Sequence, residues 1–348
     1  MKKSILTIAP FFALLAFLPF QCQEVIDDGG LFKSDNMGEN WRQLTVKDKQ
    51  LSITSLDILS MAVDPNNSNN LYLGTSGNGL YRSYSQGEYW SKVEDKNNVL
   101  LNRANIHDIV IDPKDSNRIY IGAYQDKRGR VFRSYDSGES WEEVYVTSDE
   151  KYAVFAMAVD NYDPSVVYMG TAQGGFLKSA DYGKSWEIIE WFEDVISDIV
   201  INPNDSRIIY ISTFNNGVYK TVNKGETWQS FGEILKDFQQ AKKVERLVID
   251  SQRPNILYTC SEYGLLTSKD GGQTWQEVKI IMPPKPVLGL AIESENTDHL
   301  YYGAGAILYR SLDQGKNWTV HELTSGRSIK TILIDPKDSQ IVYVGMRK

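Results

Sequence analysis

Short apolar runs alternate with polar turns along nearly the whole chain, and this alternation repeats. In each unit an apolar stretch ends in Asp-Pro or a related polar turn, as in Val63-Asp64-Pro65. A second stretch of the form apolar-Tyr-x-Gly follows, as in Leu71-Tyr72-Leu73-Gly74. Short apolar runs bounded by turn residues are typical of β-strands. The pattern therefore predicts pairs of antiparallel strands, A and B, joined by a tight turn.

A third strand, a second turn and a fourth strand complete each unit. The second turn has the frame S-x-D-x-G-x-x-W, complete in residues 134–141, and we call this frame the box. Its hydroxyl and carboxylate can accept backbone N–H groups, its Gly allows positive φ, and its Trp covers apolar surface. The box tryptophans are Trp41, Trp90, Trp141, Trp186, Trp228, Trp275 and Trp318. The third box position holds Asp136, Asp181, Asp270 and Asp313 in four copies, and Asn36, Ser85 and Asn223 in the other three.

The spacing of the boxes predicts the fold. Successive box tryptophans are 49, 51, 45, 42, 47 and 43 residues apart, a period typical of four-stranded β-propeller blades. The first unit begins with strands C and D only, and the last one ends with strands A and B only. We therefore predict an all-β, seven-bladed propeller over residues 31–348, closed by pairing of the two chain ends, which removes open sheet edges.

The box resembles the Asp-box, or BNR repeat, and the resemblance covers nearly the whole chain after its N-terminal segment. Sialidases, the sortilin propeller, xyloglucanase-type glycoside hydrolases and the photosystem II assembly factor family share this repeat. The resemblance implies a structural role for the box. The hydrolases imply two propellers with a cleft between them, whereas the assembly factors imply a single exported propeller that is often lipid-anchored. The Phe/Tyr-Arg-Ile-Pro motif of sialidases is absent from this sequence.

Residues 1–21 have the features of a secretory leader, since Lys2 and Lys3 precede an apolar stretch. Cys22 follows where a bacterial lipoprotein signal places its lipidated cysteine, and residues 22–30 would then form a tether. Two alternatives stay open: lipidation at Cys22, or cleavage nearby and release of a soluble exported protein. Both predict a location outside the cytoplasm, either in the bacterial cell envelope or secreted.

Composition narrows the classes of partner. The formal net charge is −8 and becomes −10 without Lys2 and Lys3, and there is no basic run. Nucleic acid is therefore not an expected partner, and the membrane is expected only through a lipid on Cys22. We expect Cys260 to be a buried free thiol, and we expect no metal site because the three His are dispersed. We also expect no cofactor and a monomer.

The predicted functional site lies on the face opposite the boxes, where the B–C and D–A connections meet. Strand A should line the central channel, and its residues at this mouth form a mixed polar ring. Two carboxylates at a suitable separation can hydrolyse a glycosidic bond; the alternative interpretation is a water-filled mouth lined by solvated groups. The candidates are Asp108, Asp198 and Glu245 for catalysis, and His107, Arg246 and Lys330 for binding.

Two connections supply further binding candidates. Trp191 and Phe192 lie in a short D–A connection, where Trp191 either is an exposed contact, plugs the channel or packs on the neighbouring blade. Tyr124 and Arg128 lie in the longest B–C loop. The leading hypothesis is a protein-interaction or assembly scaffold. The alternative is a carbohydrate-active protein, either a glycan-binding module or a glycoside hydrolase.

Overall fold

The computed structural model describes residues 29–45, 53–280 and 286–348, and the predicted leader and Cys22 lie outside these ranges. The described chain is nearly all β-structure, with 28 strands and one short helix, α1 (Gly232–Leu235). The strands form seven four-stranded antiparallel sheets. The predicted seven-bladed propeller is confirmed. No helix in the described ranges combines the length and the apolar character that crossing a bilayer requires.

The strands follow one another in blade order. The chain begins with β1 (Leu31–Ser34) and β2 (Arg42–Gln43), then builds blade 2 from β3 (Ile58–Val63), β4 (Leu71–Thr75), β5 (Leu80–Ser83) and β6 (Ser91–Lys92). Blade 3 has β7 (Asn105–Ile111), β8 (Ile119–Gln125), β9 (Arg128–Ser134) and β10 (Glu142–Val146), and blade 4 has β11 (Val154–Val159), β12 (Val167–Thr171), β13 (Gly175–Ser179) and β14 (Glu187–Trp191). Blade 5 has β15 (Ile196–Ile201), β16 (Ile209–Thr213), β17 (Gly217–Thr221) and β18 (Gln229–Ser230), and blade 6 has β19 (Val244–Ile249), β20 (Leu257–Ser261), β21 (Leu265–Ser268) and β22 (Gln276–Glu277). Blade 7 has β23 (Gly289–Ile292), β24 (Leu300–Ala304), β25 (Ile307–Ser311) and β26 (Thr319–Glu322), and the chain ends with β27 (Ser328–Ile334) and β28 (Val342–Arg347).

The two chain ends build blade 1 together, as the sequence predicts. Its strand order is β2-β1-β28-β27, and Phe32 of β1 lies opposite Val344 of β28. The backbone N–H of Met346 also donates to the carbonyl of Gly30 at 2.9 Å. This pairing closes the ring, because β1 would otherwise present an unpaired edge.

The boxes form one turn structure in all seven blades. The first hydroxyl of each box accepts the N–H of the box glycine at 2.7–3.0 Å. The third residue accepts the N–H of the residue before the tryptophan at 2.8–3.0 Å. Asn36, Ser85 and Asn223 supply the same acceptor as the aspartates, so these substitutions preserve the turn. The fourth residue and the glycine both have positive φ in every copy.

Each box also contacts its own blade and the preceding one. The fourth box residue donates its N–H to the A–B turn of the same blade, as Ser137 does to Asn117 at 3.1 Å. In five blades a buried tyrosine of the preceding blade donates its hydroxyl to the carbonyl of the fourth residue, and in blades 1 to 4 its ring also packs on the box glycine. Tyr72 donates to Ser137 at 2.9 Å, and Tyr120, Tyr210, Tyr301 and Tyr343 form the same hydrogen bond in their blades. The repeated tyrosine of strand B therefore links neighbouring blades.

We predict that deletion of residues 331–348 unfolds or aggregates the protein. The deletion removes β28 and most of β27, which leaves β1 with a free edge and opens the ring. The measurements are size-exclusion chromatography and thermal melting followed by circular dichroism. A chain shortened only by Lys348 is the control and should melt as the full chain does. A soluble 331–348 deletion that melts cooperatively at the temperature of the full chain would contradict the prediction.

Candidate functional site

The innermost strand of each blade lines the central channel, and a β-bulge shapes its start in six blades. In β7, for example, Ile106 pairs with Ala123 and Asp108 pairs with Gly122, so His107 is an additional residue. A bulge of this kind re-aims side chains, and the bulged residue and its successor both line the channel in five of these blades. The bulged residues are Leu59, His107, Phe155, Ser197, Glu245 and Lys330.

Small residues of strand B make room for this geometry. A Cβ on Gly170 would lie 2.4 Å from Ile196 of the next blade, and a Cβ on Gly345 would lie 2.7 Å from Ile58. This close approach explains the glycine of the repeated apolar-Tyr-x-Gly stretch. Blade 6 has Cys260 at the equivalent position, where it is a buried free thiol, as predicted. Burial raises the pKa of this thiol to about 12.

A cavity of about 240 Å³ occupies the channel mouth on the face opposite the boxes. Part of its wall is apolar, with Phe155 and Phe214 at a ring-centroid distance of 5.9 Å. Another part is charged, and there Lys330 Nζ lies 2.9 Å from Glu245 Oε2. Arg347 completes the charged part and has no ion pair among the described residues. The mouth therefore combines aromatic surface with positive charge, in a chain whose net charge is negative.

His107 is a neutral member of this mouth. Its ring packs edge-on against Phe155, with centroids 4.6 Å apart. Burial, together with the positive charges of Arg347 and Lys330, lowers the pKa of His107 to about 4. The imidazole is therefore uncharged at neutral pH and can donate from one ring nitrogen while it accepts at the other.

Arg246 separates the mouth from a deeper cavity of about 320 Å³ and lines both. Its side chain keeps 53% of its surface accessible, because it faces the channel space. Its Nε lies 3.4 Å from Oδ2 of Asp198. The negative charge of Asp198 raises the pKa of the guanidinium, which therefore stays charged.

The two channel aspartates each join two blades. Asp108 accepts the N–H of Ile109 at 2.9 Å and the N–H of Met157, in the next blade, at 2.7 Å. Asp198 accepts the N–H of Ile199 at 3.0 Å and that of Leu247, again in the next blade, at 3.1 Å. Burial raises the pKa of Asp108 to about 6, and the Asp198 charge adds to this, while Arg246 opposes it. Both oxygens of each carboxylate thus have structural hydrogen bonds.

The structure separates Trp191 from the channel. Trp191 ends β14, the outermost strand of blade 4, where 49% of its surface is exposed. The channel-plug alternative is wrong, because an outermost strand does not reach the channel. Phe192, predicted to be an exposed contact, is buried. It packs against Tyr219 and Trp228 with centroids 4.7 and 5.2 Å away, so blade 5 covers it.

The predicted long B–C loop with Tyr124 and Arg128 is instead an extended hairpin. The strands β8 and β9 continue to a two-residue turn, Asp126-Lys127, in which both residues have positive φ. Such a turn matches the twist of antiparallel strands. Arg128 donates to the carbonyl of Thr147 at 3.1 Å, so it helps hold the adjacent connection. Neither Tyr124 nor Arg128 lines the mouth cavity.

One D–A connection lies partly on the box side, where the sequence analysis does not place it. Because β6 has only two residues, residues 93–100 turn beside the box of blade 3. The buried Asp95 accepts four backbone N–H groups there, at 2.8–3.0 Å. One of these donors is Trp141 of the neighbouring box. Asp95 therefore has a structural role that its sequence context did not reveal.

The sequence analysis missed Phe214 and Arg347 at the mouth. Both residues lie at the ends of B strands, whereas the candidate ring was aligned on the A strands only. Since strand B ends where strand A begins, the last residue of each B strand and the residue after it were the available signal. Among the described residues, no three His, Cys, Asp or Glu side chains are placed to hold a metal ion.

Comparison with known proteins supports the fold. No family profile matches the chain. A stretch of 69 residues is 39% identical to the xyloglucanase Xgh74A of Acetivibrio thermocellus, which is 19% of this chain and 8% of that protein. The chain resembles the GH74 enzyme of Niastella koreensis with a TM-score of 0.69 and 18% identity, over 83% of this chain and 51% of that one. It resembles YCF48 bound to a D1 peptide with a TM-score of 0.62 and 15% identity, over 84% and 94%.

These similarities define the architecture only. The chain spans about half the length of the GH74 enzyme and a small part of the xyloglucanase. It spans nearly the whole of YCF48. The structural neighbours are seven-bladed propellers, and they include both glycoside hydrolases and a peptide-bound protein.

We predict that the loss of unfolding free energy on replacing Asp108 by Asn depends on pH. The fold raises the pKa of Asp108 from about 3.9 to about 6, so the folded state binds more protons than the unfolded state between these values. The contribution of Asp108 to the stability of the wild-type protein is therefore largest near pH 4, and it declines as the carboxyl ionises towards pH 7. Since Asn does not titrate, the stability difference between wild type and Asp108→Asn should shrink over this range.

The measurement is denaturant unfolding of both proteins at pH steps from 4 to 7. Ser60→Ala is the control, because Ser60 also joins two blades, through a 3.1 Å hydrogen bond to the carbonyl of Ile106, but does not titrate. Its cost should stay constant with pH. A constant difference for Asp108→Asn would contradict the prediction.

Proposed function

We propose that this propeller is an extracytoplasmic protein-binding scaffold that holds a segment of its partner at the channel mouth. The observation that carries the proposal is the mouth cavity itself. It offers the aromatic rings of Phe155 and Phe214 beside the guanidinium of Arg347, which has no ion pair among the residues described. Aromatic and arginine side chains in one concave site are typical of the residues that dominate binding energy in protein interfaces.

The channel carboxylates favour binding over catalysis. A general acid or base needs an oxygen that is free to reach the substrate. The oxygens of Asp108 and Asp198 already accept backbone N–H groups from two blades each. Glu245, the third candidate, is paired with Lys330. These contacts give the acidic residues of the channel structural roles, so their presence does not require a chemical step.

A peptide-bound relative of the same architecture supports the same function. YCF48 has a similar fold over nearly its whole length, and its structure was solved with a D1 peptide. In our proposal, the leader at residues 1–21 exports the chain, which then acts as a monomer. With a lipid on Cys22, the tether to Gly29 would reach roughly 25 Å at about 3.5 Å per residue. Strand β1 begins on the mouth face, so this tether would keep the mouth close to the membrane.

We predict that a photo-crosslinking residue at Phe155 captures a membrane-derived protein segment. The test uses p-benzoylphenylalanine at position 155 in the full chain, crosslinking to solubilised membranes of the source organism, and peptide mass spectrometry. The same residue at Val222, which is exposed in the box of blade 5, is the matched control. An adduct formed only from position 155, and lost on Arg347→Glu, is expected. Equal adducts from both positions, or none from position 155, would contradict the proposal.

A carbohydrate-active function is the second candidate, and the 69-residue similarity to a xyloglucanase favours it. In this case we expect turnover of chromogenic β-glycosides or binding on a glycan array, abolished by Asp108→Asn or Asp198→Asn. Melting curves of both variants would show that the fold is kept. Absence of turnover and of glycan binding by the wild type, or activity that survives both substitutions, would eliminate catalysis or binding in the channel.

A further inference from the structure

Exposed tyrosines are concentrated on the box face of blades 2, 3 and 4. Between 36% and 57% of the surface of each is accessible. They lie in the boxes of these three blades or in the A–B turn of blade 4. We call this set the tyrosine surface, and its members are Tyr84, Tyr89, Tyr135, Tyr162 and Tyr182.

Guanidinium groups lie over three of these rings. Arg118 lies between two of them, 4.2 Å from the ring centroid of Tyr182 and 5.5 Å from that of Tyr135. Arg133 lies 4.6 Å from the Tyr135 centroid, and Arg82 lies 5.1 Å from that of Tyr84. The guanidinium groups thus cover part of each ring, and the remaining surface is exposed. Because the rings are held before a ligand arrives, binding would cost little side-chain entropy.

The arginines under the rings are themselves neutralised. Arg118 pairs with Asp112 and with Asp115, the latter at 3.2 Å. Arg133 pairs with Glu142 at 2.8 Å, and Arg82 pairs with Glu139. The charges beneath the rings are therefore compensated within the protein. A strongly charged ligand would have to break these pairs, whereas an uncharged ligand would not.

The box turn does not require tyrosine at the positions of Tyr135 and Tyr182. Blade 5 builds the same box hydrogen bonds with Val222 where blade 3 has Tyr135, and with Lys224 where blade 4 has Tyr182. Tyr182 moreover adopts φ of 61°, a region that bulky residues rarely occupy, and blade 6 has Gly271 there. Tyr135 and Tyr182 are thus additions to a turn that forms without them, whereas Tyr162 donates its hydroxyl to the carbonyl of Pro203 in blade 5 at 3.0 Å.

We propose that the tyrosine surface binds a neutral polysaccharide chain. The face of a pyranose ring presents C–H groups that pack on aromatic rings, and the phenolic hydroxyls can hydrogen-bond to sugar hydroxyls. The rings belong to three successive blades, so the surface suits an extended polymer rather than a single sugar. It lies on the face opposite the channel mouth, and it is therefore independent of the proposed scaffold function and of the channel carboxylates.

Affinity electrophoresis in native gels tests this binding. The gels contain barley β-glucan, xyloglucan or dextran as neutral polymers, and polygalacturonate as an acidic one. We expect the full chain to be retarded by at least one neutral polymer. The double variant Tyr135→Ala/Tyr182→Ala should lose at least about fivefold in apparent affinity. This double variant keeps the backbone carbonyls that the box uses, so its melting temperature should stay close to that of the wild type.

The matched control is Val222→Ala/Lys224→Ala, which changes the same two box positions in blade 5 and should be retarded as the wild type is. Three outcomes would overturn the proposal: no retardation by any neutral polymer, equal loss in both double variants, or retardation by polygalacturonate alone. Crosslinking from position 155 should be unchanged in the tyrosine double variant. Failure of the polysaccharide proposal can therefore be told apart from failure of the scaffold proposal.

Discussion

Closure of the seven blades into a ring depends on the packing of each box glycine against the preceding blade. The glycine provides the positive φ that the turn needs, and in blades 1 to 4 it also leaves the space that a tyrosine of the preceding blade fills. In five blades the tyrosine hydroxyl also bonds to a box carbonyl. One small residue therefore satisfies a local and a long-range requirement. Each such hydrogen bond contributes about 1 kcal/mol, and the shared blade 1 completes the circle.

At the other end of the blades, contacts in the channel likewise join each blade to the next. A bulge turns side chains inward, and a carboxylate such as Asp108 then ties its strand to the next blade through the N–H of Met157. Charged residues in a propeller channel thus serve cohesion between blades as well as binding. Among the residues that the structure describes, the channel carboxylates accept backbone hydrogen bonds or pair with a cation, whereas Arg347 at the mouth has no ion pair. This asymmetry is the physical basis for our proposal that recognition occurs at the mouth.

Local turn chemistry explains why so much of the fold could be predicted from sequence. The box and the Asp-Pro turns specify strand ends within a few residues, and their spacing gives the blade count and the closure at blade 1. The mouth ring could also be predicted, because the A strands align on their repeats. Contacts between blades could not be predicted, because the burial of Phe192, for example, depends on Trp228 and Tyr219 of blade 5. The turn at Asp126-Lys127 could not be predicted either, because it lacks the glycine that normally marks such a hairpin. The exposed tyrosines could not be told from buried aromatic residues by sequence alone.

Because of the direction of the strands, both ends of the described chain lie on the mouth face. Strand β1 starts beside the mouth, and β28 finishes there, with Arg347 in the cavity wall. A purification tag or fluorophore attached directly before residue 29 or after Lys348 would thus crowd the mouth. Immobilisation on a sensor chip through such a tag would present the tyrosine surface to the solution and obstruct the mouth. Attachment through an engineered side chain on the box rim would reverse that orientation.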